Sequence, residues 1–208
     1  AQSVAVSKDG KHVYVAAEDA IAVFTRDKTT GSLTQLAGSL GCVHQIGSSG
    51  CADGRGLGTG EYDVTVSPDG RNVYSTGDNG VAVFARDKTT GALTQLAGTD
   101  GCLDNNGLDG CAVARSVNGT QIRVSKDGKS VYVAGDSAGV AVLSRDKSTG
   151  ALTQPAGTDG CANQTGAAGC ASANGVWTVT SVAVTNDGKN VYSASTGDAL
   201  AEFSRAKK

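Results

Sequence analysis

The chain repeats itself. An Asp-Gly turn recurs at Asp9, Asp69, Asp127 and Asp187, at spacings of 60, 58 and 60 residues. A cysteine pair nine positions apart closes each of the first three units: Cys42/Cys51, Cys102/Cys111 and Cys161/Cys170. A period of this length means like supersecondary units, each burying an apolar face against its neighbour. The repeat therefore constrains the architecture more tightly than any single residue, and it leaves the function open.

Within the second unit, Val64-Thr-Val-Ser67 and Asn72-Val-Tyr-Ser75 alternate on either side of Pro68-Asp-Gly70, which predicts a hairpin. Gly77-Asp-Asn-Gly80 then turns into Val81-Ala-Val-Phe84, and Arg86-Asp-Lys-Thr-Thr-Gly91 into Leu93-Thr-Gln-Leu96. Four short antiparallel strands in meander order, followed by a Gly-rich stretch holding the cysteines, make one unit. Such meanders in series are the blades of a β-propeller. The fold class expected is all-β, one domain over 1–208. It comprises four four-stranded antiparallel repeats at about 3–62, 63–121, 122–180 and 181–208, the last without its outer strand.

The runs SPDGRNVYSTGDNGVAVFARDKTTGALTQL and SKDGKHVYVAAEDAIAVFTRDKTTGSLTQL resemble repeats of the lactonase-like β-propellers, the group related to 6-phosphogluconolactonase and to YVTN-repeat surface proteins. The likeness spans nearly the whole chain. It implies the propeller fold and, as an activity, hydrolysis of a lactone or ester with Arg and carboxylates in the channel. The family usually has seven blades, whereas strand starts at Val4, Val64, Ile122 and Val182 give four. Three arrangements accommodate this: a single four-bladed ring, half of an eight-bladed dimer, or a piece of a longer protein. In the last unit Glu202 replaces an apolar residue of Leu200-Ala-Glu-Phe203. Glu202 reads as a charge that keeps an exposed edge from pairing, as Lys207 and Lys208 would, or else as a functional carboxylate.

Six cysteines in three C-x8-C pairs lack zinc-ligand spacing and read as disulfides, which places the protein outside the cytoplasm, secreted or periplasmic. A start at Ala1 and the absence of Met suit a mature form freed of its signal peptide. Lys and Arg number 18 against 20 Asp and Glu, so no basic footprint for nucleic acid exists. The apolar runs are too short for a transmembrane helix. The protein is expected as a monomer or a homodimer.

In a propeller the second-to-third strand turns and the inter-unit connections share one end, the usual ligand face. The former carry Asp19, Asp78, Asp136 and Asp198, which in a closed ring would crown the channel and suit a cation, calcium being the candidate, or a polyhydroxylated ligand. The same residues are also ordinary turn formers. The connections differ between units: Arg55, then Arg115, then Asn174 and the single Trp177. A Trp beside Asn suits sugar stacking, or it fills a gap between blades. Asp104 and Asp109 lie in an acidic cluster that is a weaker calcium candidate, since its spacing is not that of an EF-hand. The two histidines, His12 and His44, match no catalytic motif; His44 near Asp53 reads as a solvated loop histidine or else as a general base. The function expected is a secreted, lectin-like binding protein recognising a carbohydrate or small polar ligand. The alternatives are the lactonase-like hydrolase and a structural repeat protein.

Overall fold

Each Asp-Gly turn reverses the chain because its glycine takes a left-handed φ, between 67° and 72° at Gly10, Gly70, Gly128 and Gly188, which side chains resist. In the computed structural model, which describes residues 1–58, 60–135 and 139–205, these reversals organise four sheets. The first contains β1 (Ser3–Val6), β2 (His12–Ala17), β3 (Ala20–Arg26), β4 (Leu33–Gln35), β5 (Cys42–His44) and β6 (Ala52–Asp53). The second repeats it as β7 (Glu61–Val66), β8 (Asn72–Gly77), β9 (Gly80–Arg86), β10 (Leu93–Gln95), β11 (Cys102–Asp104) and β12 (Ala112–Val113). The third does so as β13 (Gly119–Val124), β14 (Ser130–Gly135), β15 (Gly139–Arg145), β16 (Leu152–Thr153), β17 (Cys161–Asn163) and β18 (Ala171–Ser172). Among the described residues the fourth contains β19 (Val179–Val184), β20 (Asn190–Ser195) and β21 (Ala199–Ser204), with no further strand paired to β21.

The expected four-stranded unit is corrected to six strands. The long third strand is shared end to end: Phe24–Arg26 pairs with β4, while Ala20–Ala22 pairs with β5. β6 then adds in parallel to β5. The cysteine stretch is therefore not a free excursion between units but the outer edge of each sheet. A disulfide ties the start of β5, Cys42, to Cys51 just before β6, with Cα atoms 4.8 Å apart. Cys102–Cys111 and Cys161–Cys170 repeat this at 4.7 Å. Each closes a ten-residue loop, which by chain entropy stabilises the fold by about 2.5–3 kcal/mol.

Burial follows the alternation. Tyr14, Ile21 and Val23 of the first sheet, with Leu57 of the connection that follows it, meet Val64, Val73 and Phe84 of the second in one core. Equivalent cores join the second sheet to the third around Tyr74, Val83, Ile122 and Leu143, and the third to the fourth around Tyr132, Val182 and Val191. The first strands of the sheets, β1, β7, β13 and β19, run side by side along this row. Among the described residues no core joins the fourth sheet back to the first. Val4, whose counterparts Val64, Ile122 and Val182 are at most 3% exposed, stands 61% exposed, and Val6 beside it 53%.

A second device repeats at every junction. Arg86 at the end of β9 reaches into the first sheet, where its Nε donates to the Tyr14 hydroxyl at 2.7 Å and its Nη2 to Asp9 at 3.2 Å and to His12 Nδ1 at 2.6 Å. Arg145 does the same to Tyr74, Asp69 and Asn72 of the second sheet. Arg205 meets Asp127 and Ser130 of the third. Burial would raise the Asp69 carboxyl. The Ser67 hydroxyl, the Arg71 amide and Arg145 outweigh it and hold the pKa down at about 2. Asp9 and Asp127 are held low by the same balance.

Candidate functional site

The connections between sheets and the turns between second and third strands converge on one end of the row. Asp78 N donates to Gly60 O, Asn79 Nδ2 to Leu57 O, and Thr196 N to Thr178 O. The Asp-Gly turns and their arginine clasps occupy the opposite end. This connection end is the candidate binding surface, and each element on it is rigid for an identifiable reason.

In each disulfide loop the residue two after the first cysteine caps the turn with its side chain. Asp104 Oδ1 accepts from Asn106 N, Gly107 N and Leu108 N. Asn163 Oδ1 accepts from Thr165 N and Ala167 N, and His44 Nδ1 from Ile46 N. Asp104 is thus buried and committed to backbone, while Asp109 accepts from Gln45 Nε2 at 3.3 Å. The described residues contain no group of three or more His, Cys, Asp or Glu arranged to hold a metal ion.

Arg55 and Arg115 lie on this end but turn their guanidinium groups into the fold. Arg55 donates to the carbonyls of Leu96, Gly98, Asp109 and Gly110, all in the outer edge of the second sheet. Its backbone exchanges two hydrogen bonds with the Gln95 amide. Arg115 grips Pro155, Gly157, Ala168 and Gly169 of the third sheet in the same way, with Gln154 as its partner. Asn174 stands at the corresponding place before the fourth sheet and is exposed.

Trp177, three residues on, is 59% exposed, in a segment held by Ser195 Oγ donating to Gly175 O. Val176 beside it is buried in the core shared by the third and fourth sheets. So the gap between sheets is filled by Val176, and the indole is left at the surface. Among the described turn acids no two share a hydrogen-bond or ion-pair partner, and each is held within its own sheet. Asp19 pairs with His44 of its own sheet at 3.1 Å, whereas Asp78 and Asp198 are exposed in their own turns, Asp198 at a left-handed φ of 61°. Asp136 lies outside the described residues, as do Lys207 and Lys208.

His44 meets Asp19 rather than Asp53, and Ser48 Oγ lies 3.0 Å from its Nε2 and 3.3 Å from its Nδ1. The set Ser48, His44, Asp19 has the residue types of a hydrolytic triad, yet both ring nitrogens are already used. Ile46 N donates to Nδ1, which puts the proton on Nε2 facing Asp19 and leaves no free lone pair for the serine.

Two sets of residues were missed by sequence reasoning. One is the clasp arginines, Arg86, Arg145 and Arg205. Their signal was visible: an arginine ends the third strand in every unit, a recurrence that turn chemistry does not require. The other is Asp63, which is buried in β7 and accepts from Ser3 Oγ of the first sheet and from Ile122 N and Arg123 Nη1 of the third. Gln121 plays a like part toward Ser181 and Val182. Their signal is the variation Ser3, Asp63, Gln121, Ser181 at one repeat position.

No protein-family model and no curated protein sequence matches the chain. Its fold is similar to a crystal structure from Bacteroides uniformis named "putative 6-phosphogluconolactonase", with a TM-score of 0.64 and 18% identity over 99% of this chain and 50% of that one. It is also similar to a functionally unknown protein from Desulfotomaculum acetoxidans, with a TM-score of 0.60 and 17% identity over 99% and 55% of the two chains. The chain spans about half the length of these structures. At such identities the likeness concerns the fold alone.

Proposed function

We propose that the four sheets are propeller blades and that the chain is an extracytoplasmic recognition module. It binds a carbohydrate or other small polar ligand on the connection end. The observation that carries this is Trp177, 59% exposed although the gap beside it is already filled by Val176. An indole held on a rigid segment next to an exposed Asn174 supplies a stacking face and an amide for sugar hydroxyls. Three disulfides on the blade edges favour an oxidising compartment and secretion, and no helix among the described residues is long and apolar enough to cross a membrane. Disulfides and arginine grips hold the loops before any ligand arrives, which lowers the ordering cost of binding.

The test uses the single Trp as its own reporter. Titration with a panel of mono- and oligosaccharides should shift or quench Trp177 emission for at least one class, and Trp177→Ala should abolish retention on the matching glycan. Retention unchanged in that variant would refute the assignment. A lactonase-like hydrolase is the second reading, suggested by the likeness of fold alone, since His44 has no lone pair free to activate Ser48. It requires a measurable hydrolysis of simple lactones or nitrophenyl esters by the purified protein.

A further inference from the structure

The net charge of −2 hides a division between the two ends of the sheets. One end is formed by the Asp-Gly turns together with the turns that follow each third strand. There the first unit sets Lys8, Lys11, Arg26 and Lys28 against Asp9 and Asp27. The second sets Arg71, Arg86 and Lys88 against Asp69 and Asp87, and the third Lys126, Lys129, Arg145 and Lys147 against Asp127 and Asp146. The fourth sets Lys189 and Arg205 against Asp187. Among the described residues this end thus holds 13 cations to 7 carboxylates, and each unit carries an excess by itself. The connection end has the opposite sign, since its acids, among them Glu18, Asp19, Asp78, Asp109 and Asp198, face only Arg55 and Arg115, both turned inward.

The acids of the basic end are already engaged. Asp9, Asp69 and Asp127 pair with Arg86, Arg145 and Arg205, and Asp187 lies 3.7 Å from Lys189. Asp27, Asp87 and Asp146 each accept from the backbone amides two and three residues on. Six lysines, Lys8, Lys11, Lys28, Lys88, Lys126 and Lys147, are exposed and have no ion-pair partner among the described residues. Three of them are held in place. The stems of Lys28, Lys88 and Lys147 lie over Gly10, Gly70 and Gly128, where a Cβ added to each glycine would stand 3.8 Å from the lysine Cε. An ammonium group therefore recurs at one place per sheet, with part of its ordering cost already met. At the first junction Lys88 and Lys8 rim a cleft of about 250 Å³ above Arg86. The two carboxylates in that cleft, Asp9 and Asp69, are paired with arginines, so the two lysines supply its net charge. At the second junction Pro68 stands where Lys8 does.

We infer that the Asp-Gly end docks on an acidic polysaccharide, with one carboxylate or sulfate seated between Lys8 and Lys88 and others met by Lys28 and Lys147. A row of ammonium groups repeated from sheet to sheet is complementary to a polymer that bears an anion on successive units. The turns of this end carry no aromatic or large aliphatic residue, so they offer nothing to bury in a bilayer. Disulfides persist outside the cytoplasm, where acidic polysaccharides rather than nucleic acids are the abundant polyanions. The acidic connection end is repelled by the same polymer. Docking thus orients the molecule, with Trp177 turned away from the matrix that holds it.

The test is calorimetric titration of the whole chain with polygalacturonate and with heparin, starting at about 50 mM salt and repeated as salt is raised. At least one polymer should bind, and the logarithm of its affinity should fall linearly with the logarithm of the salt concentration. Lys8→Gln combined with Lys88→Gln should weaken binding roughly 25-fold, at about fivefold for each lysine close to an anionic surface. Lys11→Gln combined with Lys126→Gln removes the same charge away from the cleft and should cost less. Circular dichroism melts show that each variant is folded. No binding to either polymer would overturn the inference, as would equal losses in the two double variants, or tighter binding to phosphatidylglycerol vesicles or duplex DNA than to both polysaccharides. Trp177→Ala should leave this binding unchanged, so it stands or falls separately from recognition at the connection end.

Discussion

The arginine clasp makes a graded prediction about stability. Arg145 is fully buried and places its three nitrogens on Tyr74, Gly128, Asp69 and Asn72, while Asp69 itself is 28% exposed. Arg145→Met keeps most of the packing volume and removes the charge and every donor. Tyr74 retains its bond to Gly150 O, and Asp69 retains Ser67 and Arg71. Asn72 Oδ1 loses its guanidinium donor. Removing one partner of a buried pair costs about 3–5 kcal/mol, and the partial exposure of Asp69 brings this to roughly 2–4 kcal/mol. Arg205→Met acts on Asp127, which is 44% exposed, and should cost only about 1 kcal/mol. For a chain of this size each kcal/mol moves the melting temperature by about 2–4 °C. The Arg145 variant should thus melt roughly 4–16 °C lower and the Arg205 variant no more than about 4 °C lower. Thermal and urea unfolding, followed by Trp177 emission and far-ultraviolet dichroism, measure both. Equal losses in the two variants would refute the reasoning, since burial is the only difference on which the ranking rests.

Three further outcomes follow from the same contacts. The carboxyls of Asp9, Asp69 and Asp127 bind protons less readily folded than unfolded, so their stabilisation is complete above about pH 5. It is lost as pH falls through the unfolded carboxylate range near ~4 towards about 2. At the other extreme, burial pushes the Tyr14 and Tyr74 hydroxyls up to about 12. Stability should hold below ~10, where unfolded tyrosine ionises, and fall as pH rises to about 12. Burial and then Arg86 push His12 below its ordinary range, so its contribution fades as pH drops through ~6.5. His12→Asn, which copies Asn72, should flatten the melting temperature between pH 7.5 and 5.5. Gly150 has φ +91° and would drive a Cβ into Asn72, so Gly150→Ala should cost roughly 2–4 kcal/mol by urea unfolding.

The repeat, the hairpins and the disulfide pairs were legible because each rests on local chemistry: alternation, Asp-Gly turns and a fixed cysteine spacing. The sixth strand was not. Residues such as Ala52-Asp53 and Ala112-Val113 are too short to show alternation, and they become strands only because a disulfide holds them against β5 or β11. The Asp-Gly turns were explained by turn geometry, which is sufficient but incomplete. The same Asp69 that accepts from Arg71 N also receives Arg145 from 76 residues away. A residue that satisfies a local rule hides any long-range role it has. The candidate surface was half legible: Trp177 and Asn174 could be singled out as departures from the repeat, but nothing local showed that Arg55 and Arg115 turn inward.

That last difference separates neighbour from ligand as the cause of variation among repeats. Arg55 and Arg115 each grip four carbonyls on the disulfide-bearing edge of the next sheet. Among the described residues the fourth sheet has no such edge, and Asn174 stands where the arginine would. Within the described residues a side chain at this position has no such row of carbonyls to grip. If so, Arg115→Asn should cost about 1–2 kcal/mol, since it strips donors from partly exposed carbonyls, whereas Asn174→Arg should be neutral within about 0.5 kcal/mol. A stabilising Asn174→Arg would mean that the fourth sheet offers a hidden acceptor and that the neighbour argument is wrong. Trp177 has no such account. Its counterparts Gly58 and Asn118 precede sheets built like the fourth at their inner strands, and among the described residues no contact of the fourth sheet calls for an indole. Once neighbour-driven variation is removed, Trp177 is the departure left over, and that is why the search for a ligand starts there.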